Sequence, residues 1–165
     1  MMKPTHTLTT LYRHHQWANL KLLEQCGQLN PDQLDATISG SYGSIRDTLH
    51  HIITAEQAYL YRIQTGQPRP DSDDEATLTI TEMIEAAQTT GEGFIEWVGS
   101  VQDEDTVQMT WKDGLPYQVP KAIILTQVIY HATEHRAQIM TIMTHLGLES
   151  PDLQAWEYFD EIKDT

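Results

Sequence analysis

The chain has 165 residues, a single cysteine (Cys26) and a net charge of −14 from 24 acidic and 10 basic residues. This length suits one domain, and one cysteine excludes both an intramolecular disulfide and a cysteine-rich zinc site. The acidic surface repels phosphate backbones and anionic lipid, so neither nucleic acid nor a membrane is an expected partner. The sequence has one unpaired thiol, and it shows neither a signal-peptide pattern nor an apolar run of the ~20 residues that a membrane span needs. These features predict a cytoplasmic protein.

Helical periodicity predicts a first helix from about Leu8 to Cys26. Its apolar face is expected to hold Leu8, Leu11, Tyr12, His15, Leu22 and Cys26. A linker rich in Pro, Gly, Asn and Ser follows over 28–43. Ser44 and Asp47 then have the spacing of a capping box, and Gly66 is a typical C-terminal stop, which together delimit a second helix.

A polar segment over 67–79 leads to a third helix, predicted over Ile80 to Val98 from apolar residues at three- and four-residue spacings. Residues 106–119 form two short extended runs around an Asp-Gly turn, which predicts a small hairpin or a long ordered crossover. The fourth helix is expected to begin near Pro120 and to end at Gly147.

Each of the four predicted helices carries one apolar stripe. Helices of this kind cover one another's stripes in an all-α, four-helix bundle. The long connections permit an order other than up-down-up-down, and the sequence leaves that order open.

The fourth helix places two histidines in an otherwise aliphatic inward stripe. That stripe comprises Ile124, Val128, His131, His135, Gln138 or Ile139, Ile142 and Leu146. Histidines four residues apart on one face can point at a single ion. Without partners each would cost on the order of a few kcal/mol to bury. A single core histidine is usually just hydrogen-bonded to a neighbour, but a pair on one seam favours a shared divalent metal ion.

A third ligand should come from another helix. The candidates are His14, His15, His50 and His51. Periodicity does not decide between His50 and His51, although His51 shares its side with a strip of small residues that permits close helix approach, namely Thr48, Ala55 and Ala58. His15 lies on the apolar stripe of the first helix, where it can be a fourth ligand, an outer-sphere donor or, as we expect, an ordinary core histidine.

Residues 44–63 together with 131–147 resemble the DinB-like (DinB/YfiT) superfamily of metal-dependent enzymes. The most specific feature is the motif H-x-x-x-H-R-x-Q, here His131, His135, Arg136 and Gln138. A Trp-Ala-Asn string at 17–19 and the leucine-glycine end of the fourth helix extend the resemblance over nearly the whole chain, which implies one DinB-like domain over 1–165.

The resemblance also implies a ligand set. In the superfamily the first metal histidine precedes an Ile-x-x-Ala-Glu string, here 52–56, and this register selects His51 rather than His50. One departure is Ala137, where a glycine is common, and a helix tolerates it. The implied site is therefore one divalent ion per chain held by His51, His131 and His135, with zinc expected first and nickel second.

Three imidazoles leave positions open for water or substrate, which is typical of a catalytic site. Relatives of this kind imply an enzyme that activates a low-molecular-weight thiol for S-transfer. The alternatives are a metal-dependent hydrolase and a non-catalytic, metal-stabilised scaffold or regulatory protein. No catalytic base is assigned, because Glu134 is predicted to face away and Glu56 to pair with a basic residue such as Arg136.

Related proteins pair through bundle faces, so we also expect a homodimer. The aromatic tail, with Trp156, Tyr158 and Phe159, can serve either intramolecular packing or such a contact.

Overall fold

The computed structural model describes residues 6–70, 77–102 and 104–163. These residues form six helices and one two-stranded sheet: α1 (Thr7–Cys26), α2 (Pro31–Leu34), α3 (Ile45–Thr65), α4 (Ile80–Val98), β1 (Thr106–Thr110), β2 (Pro116–Pro120), α5 (Lys121–His145) and α6 (Ala155–Ile162). The four long helices are those that the sequence predicts. In the described part of the chain, no helix is both long and apolar enough to cross a bilayer.

The predicted start and end of α3 are confirmed. The hydroxyl of Ser44 accepts a hydrogen bond from the backbone N–H of Asp47 at 3.1 Å, and the Asp47 carboxylate accepts from the N–H of Ser44 at 3.3 Å. Gly66 ends the helix at φ 72°, in the left-handed region that favours glycine. These contacts satisfy backbone groups that a helix end leaves without partners.

The linker over 28–43 contains a short helix, α2, that the sequence analysis did not predict. Asn30 caps it through a second capping box with Gln33, and Pro31 occupies the first turn. Leu34 is buried and joins the core. The linker is therefore anchored to the bundle, and this anchoring matters because the linker also contributes to the candidate site.

Two apolar clusters fix the directions of the four long helices. One cluster combines the end of α1 with the starts of α3 and α4 and the second half of α5. The other combines the starts of α1 and α5 with the ends of α3 and α4. Helices α1 and α5 therefore run in one direction and α3 and α4 in the other, an up-down-down-up order. The crossover is the α3–α4 connection, whose acidic part, 71–76, lies outside the described residues.

The hairpin predicted between α4 and α5 is confirmed. Strands β1 and β2 pair antiparallel, with Val107 opposite Val119, and Gly114 takes φ 80° in the turn. Val107 and Val119 are both buried in the second apolar cluster. The hairpin thus closes one end of the bundle, because side chains opposite each other in a two-stranded sheet share a face.

Three leucines expected on inward stripes are exposed instead. Leu8 and Leu11 are 42% and 39% exposed because they line an apolar groove of about 420 Å³ between the starts of α1 and α5. Leu146 is 40% exposed because it is the C-cap of α5, beyond its last turn. These three exceptions lie near the start of α1 and at the end of α5, whereas Cys26 and Val98, at the ends of α1 and α4, are buried as predicted.

The C-terminal tail packs back on α1 through one of its three aromatic residues. The Tyr158 ring lies 5.4 Å from that of Trp17, whose indole N–H donates to the Glu161 carboxylate at 2.7 Å. Trp156 and Phe159 remain 78% and 46% exposed. Intramolecular packing is thus observed for Tyr158, and the homodimer stays a prediction.

We expect Tyr12→Phe to lower the free energy of unfolding by about 1 kcal/mol, the usual net value of one buried hydrogen bond. The Tyr12 hydroxyl donates to the Leu125 carbonyl at 2.7 Å and joins α1 to α5. Urea denaturation measures the change. Tyr117→Phe is the matched control, since the Tyr117 hydroxyl contacts Asp113 on the surface. An equal loss of stability in Tyr117→Phe would contradict the stabilising role of the buried Tyr12 hydrogen bond.

Candidate metal centre

The three histidines predicted as metal ligands lie together between α3 and α5. Nε2 of His51 is 2.9 Å from Nε2 of His131. The ring centroids of His51, His131 and His135 are 4.5 to 5.0 Å apart, and one nitrogen of each lies within 4.8 Å of the others. His50 is not part of this cluster. The register implied by the family resemblance, which the strip of small residues also favoured, therefore selected the histidine of α3 that lies in this cluster.

The spacing of these nitrogens fits one small divalent ion. Imidazole nitrogens bind zinc at about 2.0–2.1 Å, so two ligands at a tetrahedral angle are about 3.3 Å apart. The distances of 2.9 Å and up to 4.8 Å in the cluster lie on either side of that value. A shared cation therefore requires the closest pair of nitrogens to move slightly apart and the most distant pair to move closer.

The electrostatics of the cluster keep the imidazoles of His131 and His51 neutral. Burial, followed by the neighbouring imidazoles of His135 and His51, lowers the pKa of His131 to about 4. Burial and the nearby His135 and His50 also lower the pKa of His51. A metal ligand must be deprotonated, so both rings offer lone pairs at neutral pH.

Gln138 fixes which nitrogen of His135 faces the cluster. Its side-chain oxygen accepts the backbone N–H of Tyr42 at 3.2 Å and contacts Nδ1 of His135 at 2.9 Å. Because that atom accepts from Tyr42, it is the amide oxygen, and Nδ1 must donate to it. The lone pair of His135 is therefore on Nε2, the arrangement that outer-sphere partners of metal histidines normally enforce.

Tyr42 is a site residue that the sequence analysis missed. Its ring stacks on His51 with centroids 4.2 Å apart and planes 15° apart, and it lies 5.2 Å from the His135 ring. On another side of the cluster, the Tyr59 ring lies 6.2 Å from His131. Tyr42 is 55% exposed and belongs to the linker, where no periodicity indicates which residues face the bundle.

A buried polar layer lies beside the cluster, in the middle of the bundle. It consists of His15 and Asn19 on α1, Glu56 on α3 and Arg136 on α5. Glu56 Oε1 lies 2.9 Å from both His15 Nε2 and Asn19 Nδ2. The Arg136 guanidinium donates to Asn19 Oδ1 at 2.6 Å and to His15 Nδ1 at 3.4 Å. Since arginine only donates, His15 Nδ1 accepts and its Nε2–H donates to Glu56.

The layer corrects one expectation and confirms another. Glu56 pairs with a basic residue, as expected, but that residue is His15 rather than Arg136, which contacts His15 and Asn19 instead. Burial lowers the pKa of Arg136 to about 10, against the charge of Glu56, and the guanidinium stays charged at neutral pH. His15 is a hydrogen-bonded core histidine, as expected. Asn19, four residues further along the same buried stripe, was the available signal for a polar layer.

We expect His51→Ala, His131→Ala and His135→Ala each to abolish stoichiometric zinc binding, because two imidazoles do not make a tight site. Elemental analysis after zinc loading and desalting measures the metal content, with about one ion per wild-type chain. His50→Ala and His145→Ala are matched controls that should retain the ion. Unchanged content in any of the three cluster variants would contradict the ligand set.

We expect Gln138→Ala to weaken zinc binding by about 10- to 100-fold without abolishing it, the usual effect of removing an outer-sphere partner. Competition with a chromophoric chelator measures the dissociation constant. Gln127→Ala, on the exposed face of α5, should leave it unchanged. Equal affinities for wild type and Gln138→Ala would show that His135 needs no such support.

Comparison with known proteins supports the same architecture. A DinB-like protein from Bacillus subtilis superimposes with a TM-score of 0.66 at 17% identity, over 90% of this chain and 99% of that one. A DinB-like protein from Bacillus cereus superimposes with a TM-score of 0.61 at 18% identity, over 86% of this chain and 91% of that one. At these identities the likeness concerns the fold.

No functionally curated protein matches the sequence. A sequence model described as the DinB family matches residues 1–164, nearly the entire length. The resemblance drawn from the histidine motifs is thus confirmed, and the chain belongs to the DinB family.

Proposed function

We propose that this protein is a divalent-metal-dependent enzyme that activates a low-molecular-weight thiol for transfer to an electrophile. The observation that carries the proposal is the convergence of three imidazole nitrogens next to an exposed aromatic ring, in a chain whose one thiol is buried. Zinc is the expected ion and nickel the next, since imidazole ligands alone discriminate weakly between them.

The donor set favours catalysis over a purely structural ion. Structural zinc sites are usually closed by four protein ligands, whereas catalytic sites use three and keep a position open. The residues described offer three histidines to the cluster and no fourth ligand. A divalent ion held by the three imidazoles would keep its full charge and would supply the acidity that deprotonates a thiol near neutral pH.

The thiol of the reaction must come from a substrate. Cys26 is 0% exposed, and burial raises its pKa to about 12, so its thiolate is not available to an electrophile. In the transfer, the substrate sulfur forms a bond to carbon, the leaving group departs with its bonding pair, and the thiol proton passes to solvent.

The surrounding residues prepare the site for a small organic substrate. Gln138 holds the imidazole of His135 with its lone pair toward the cluster. Tyr42 covers one face of His51 and leaves more than half of its own surface exposed beside the site. An aromatic surface at this position can pack against the carbon skeleton of a thiol or of its acceptor.

Hydrolysis is the weaker proposal because neither acidic residue considered as its base is available. Glu134 is exposed and does not belong to the histidine cluster. Glu56 is buried in the polar layer, where one of its oxygens accepts hydrogen bonds from His15 and Asn19.

The test is turnover of a chloroaromatic acceptor by zinc- or nickel-loaded protein with bacillithiol, mycothiol and glutathione. We expect metal-dependent conjugation with one of these thiols, reduced to the background rate in His51→Ala and retained in His50→Ala. Equal turnover after chelator treatment, or no turnover with any of the three, would contradict the proposal.

A spectroscopic measurement separates an enzyme from a scaffold. If thiols bind at the site, titrating them into the cobalt-substituted protein shifts its ligand-field spectrum. A cation that raises the melting temperature while no thiol changes that spectrum would favour the metal-stabilised scaffold.

A further inference from the structure

The two ring nitrogens of His131 have opposite surroundings. Nε2 lies 2.9 Å from Nε2 of His51 in the cluster. Nδ1, on the other side of the ring, is buried and has no hydrogen-bond partner among the described residues. A cation that takes the lone pair of Nε2 requires the proton of the neutral ring to be on Nδ1. The result is a buried N–H without an acceptor, which histidines that bind metals almost never show.

The stretch of α3 that passes His131 carries a buried carboxylate that can serve as this acceptor. The rings of His51 and Tyr59 both contact the His131 ring, at 4.8 and 6.2 Å between centroids. Glu56 lies between these two residues on α3 and is 2% exposed. Glu56 therefore lies within the stretch of α3, from His51 to Tyr59, that runs past the His131 ring.

Glu56 retains the capacity to accept another hydrogen bond. A carboxylate has two oxygens and about four lone-pair sites, and the contacts with His15 and Asn19 both fall on Oε1. The charge of Glu56 also acts on His131, since it raises the pKa of that imidazole against the lowering effect of burial. The carboxylate is thus electrostatically coupled to the ring.

We propose that Glu56 is a positioning residue of the metal centre, which accepts the Nδ1–H of the facing His131 when a cation binds the three imidazoles. The bond forms either after rotation of the Glu56 side chain or through one buried water. This inference rests on the metal site of the proposed function, and it is independent of the thiol chemistry.

The polar layer then has a second role besides satisfying the core. His15 and Asn19 hold the Glu56 carboxylate from α1, and Asn19 also ties Arg136 to the network. Arg136 balances the charge of Glu56 and directly follows the ligand His135. Helix α1 therefore supports the metal centre although it contributes no ligand.

The test compares zinc affinity in Glu56→Gln with that in wild type. Glutamine keeps an oxygen for His15 and Asn19 but removes the charge and weakens the acceptor for His131. We expect zinc to bind about 10- to 100-fold more weakly, the usual effect of losing an outer-sphere carboxylate. Glu134→Gln, an exposed acidic residue of α5, is the matched control and should bind zinc like wild type.

A double variant distinguishes the role of Glu56 as acceptor for His131 from its role in balancing the charge of Arg136 and stabilising the fold. Glu56→Gln leaves the buried charge of Arg136 uncompensated, and combining it with Arg136→Gln makes the polar layer neutral again. If Glu56 positions His131, the double variant recovers thermal stability while zinc binding stays weak. If thermal stability and zinc affinity both recover, the Glu56 carboxylate only balances the charge of Arg136, and the inference is overturned.

Proton NMR of the zinc-loaded protein gives a direct readout. A hydrogen-bonded Nδ1–H of His131 should appear as a slowly exchanging downfield imidazole signal, absent in Glu56→Gln. Wild-type affinity or an unchanged signal in Glu56→Gln would refute the role of Glu56 alone. A wild-type protein that does not bind zinc would refute the metal site, and with it this inference, whereas absence of thiol transfer would not affect it.

Discussion

A helical bundle with imidazoles in its interior must provide a partner for each ring nitrogen, because an unpaired buried polar group costs as much as a lost hydrogen bond or more. His15 meets this requirement through Glu56 and Arg136, and His135 meets it at Nδ1 through Gln138. The nitrogens of His51 and His131 instead face each other at 2.9 Å, next to His135. A shared cation satisfies three lone pairs at once, so the same constraint that orders the polar core also produces a candidate metal centre.

Buried apolar residues and buried polar residues occupy different parts of the bundle. Two apolar clusters occupy its two ends, and the polar layer of His15, Asn19, Glu56 and Arg136 links three helices near its middle. Breaking one partner of a buried ionic network is far more costly than removing a surface pair. The layer therefore fixes the register of α1, α3 and α5, and the register of α3 against α5 decides whether the three histidines meet.

Features set by contacts between residues close in sequence could be predicted, whereas features set by the packing of distant segments could not. The sequence predicts three features that depend on neighbouring residues: the helix cap at Ser44, the helix end at Gly66 and the hairpin turn at Gly114. Two of the three site histidines are one helical turn apart, so their convergence was also predictable. The place of Tyr42 depends on how an irregular linker docks on α5, and the partners of Glu56 depend on the packing of α1. Tyr42 leaves no periodic signal in the sequence, whereas the four-residue spacing of His15 and Asn19 indicates a polar layer without identifying Glu56 as their partner.

X-ray absorption spectroscopy of the zinc-loaded wild-type protein tests the central claim most directly, that three imidazoles share one cation. The account predicts three imidazole nitrogens at about 2.0–2.1 Å and at least one further light ligand from solvent. A spectrum with sulfur at about 2.3 Å, or with fewer than three imidazoles, would contradict it.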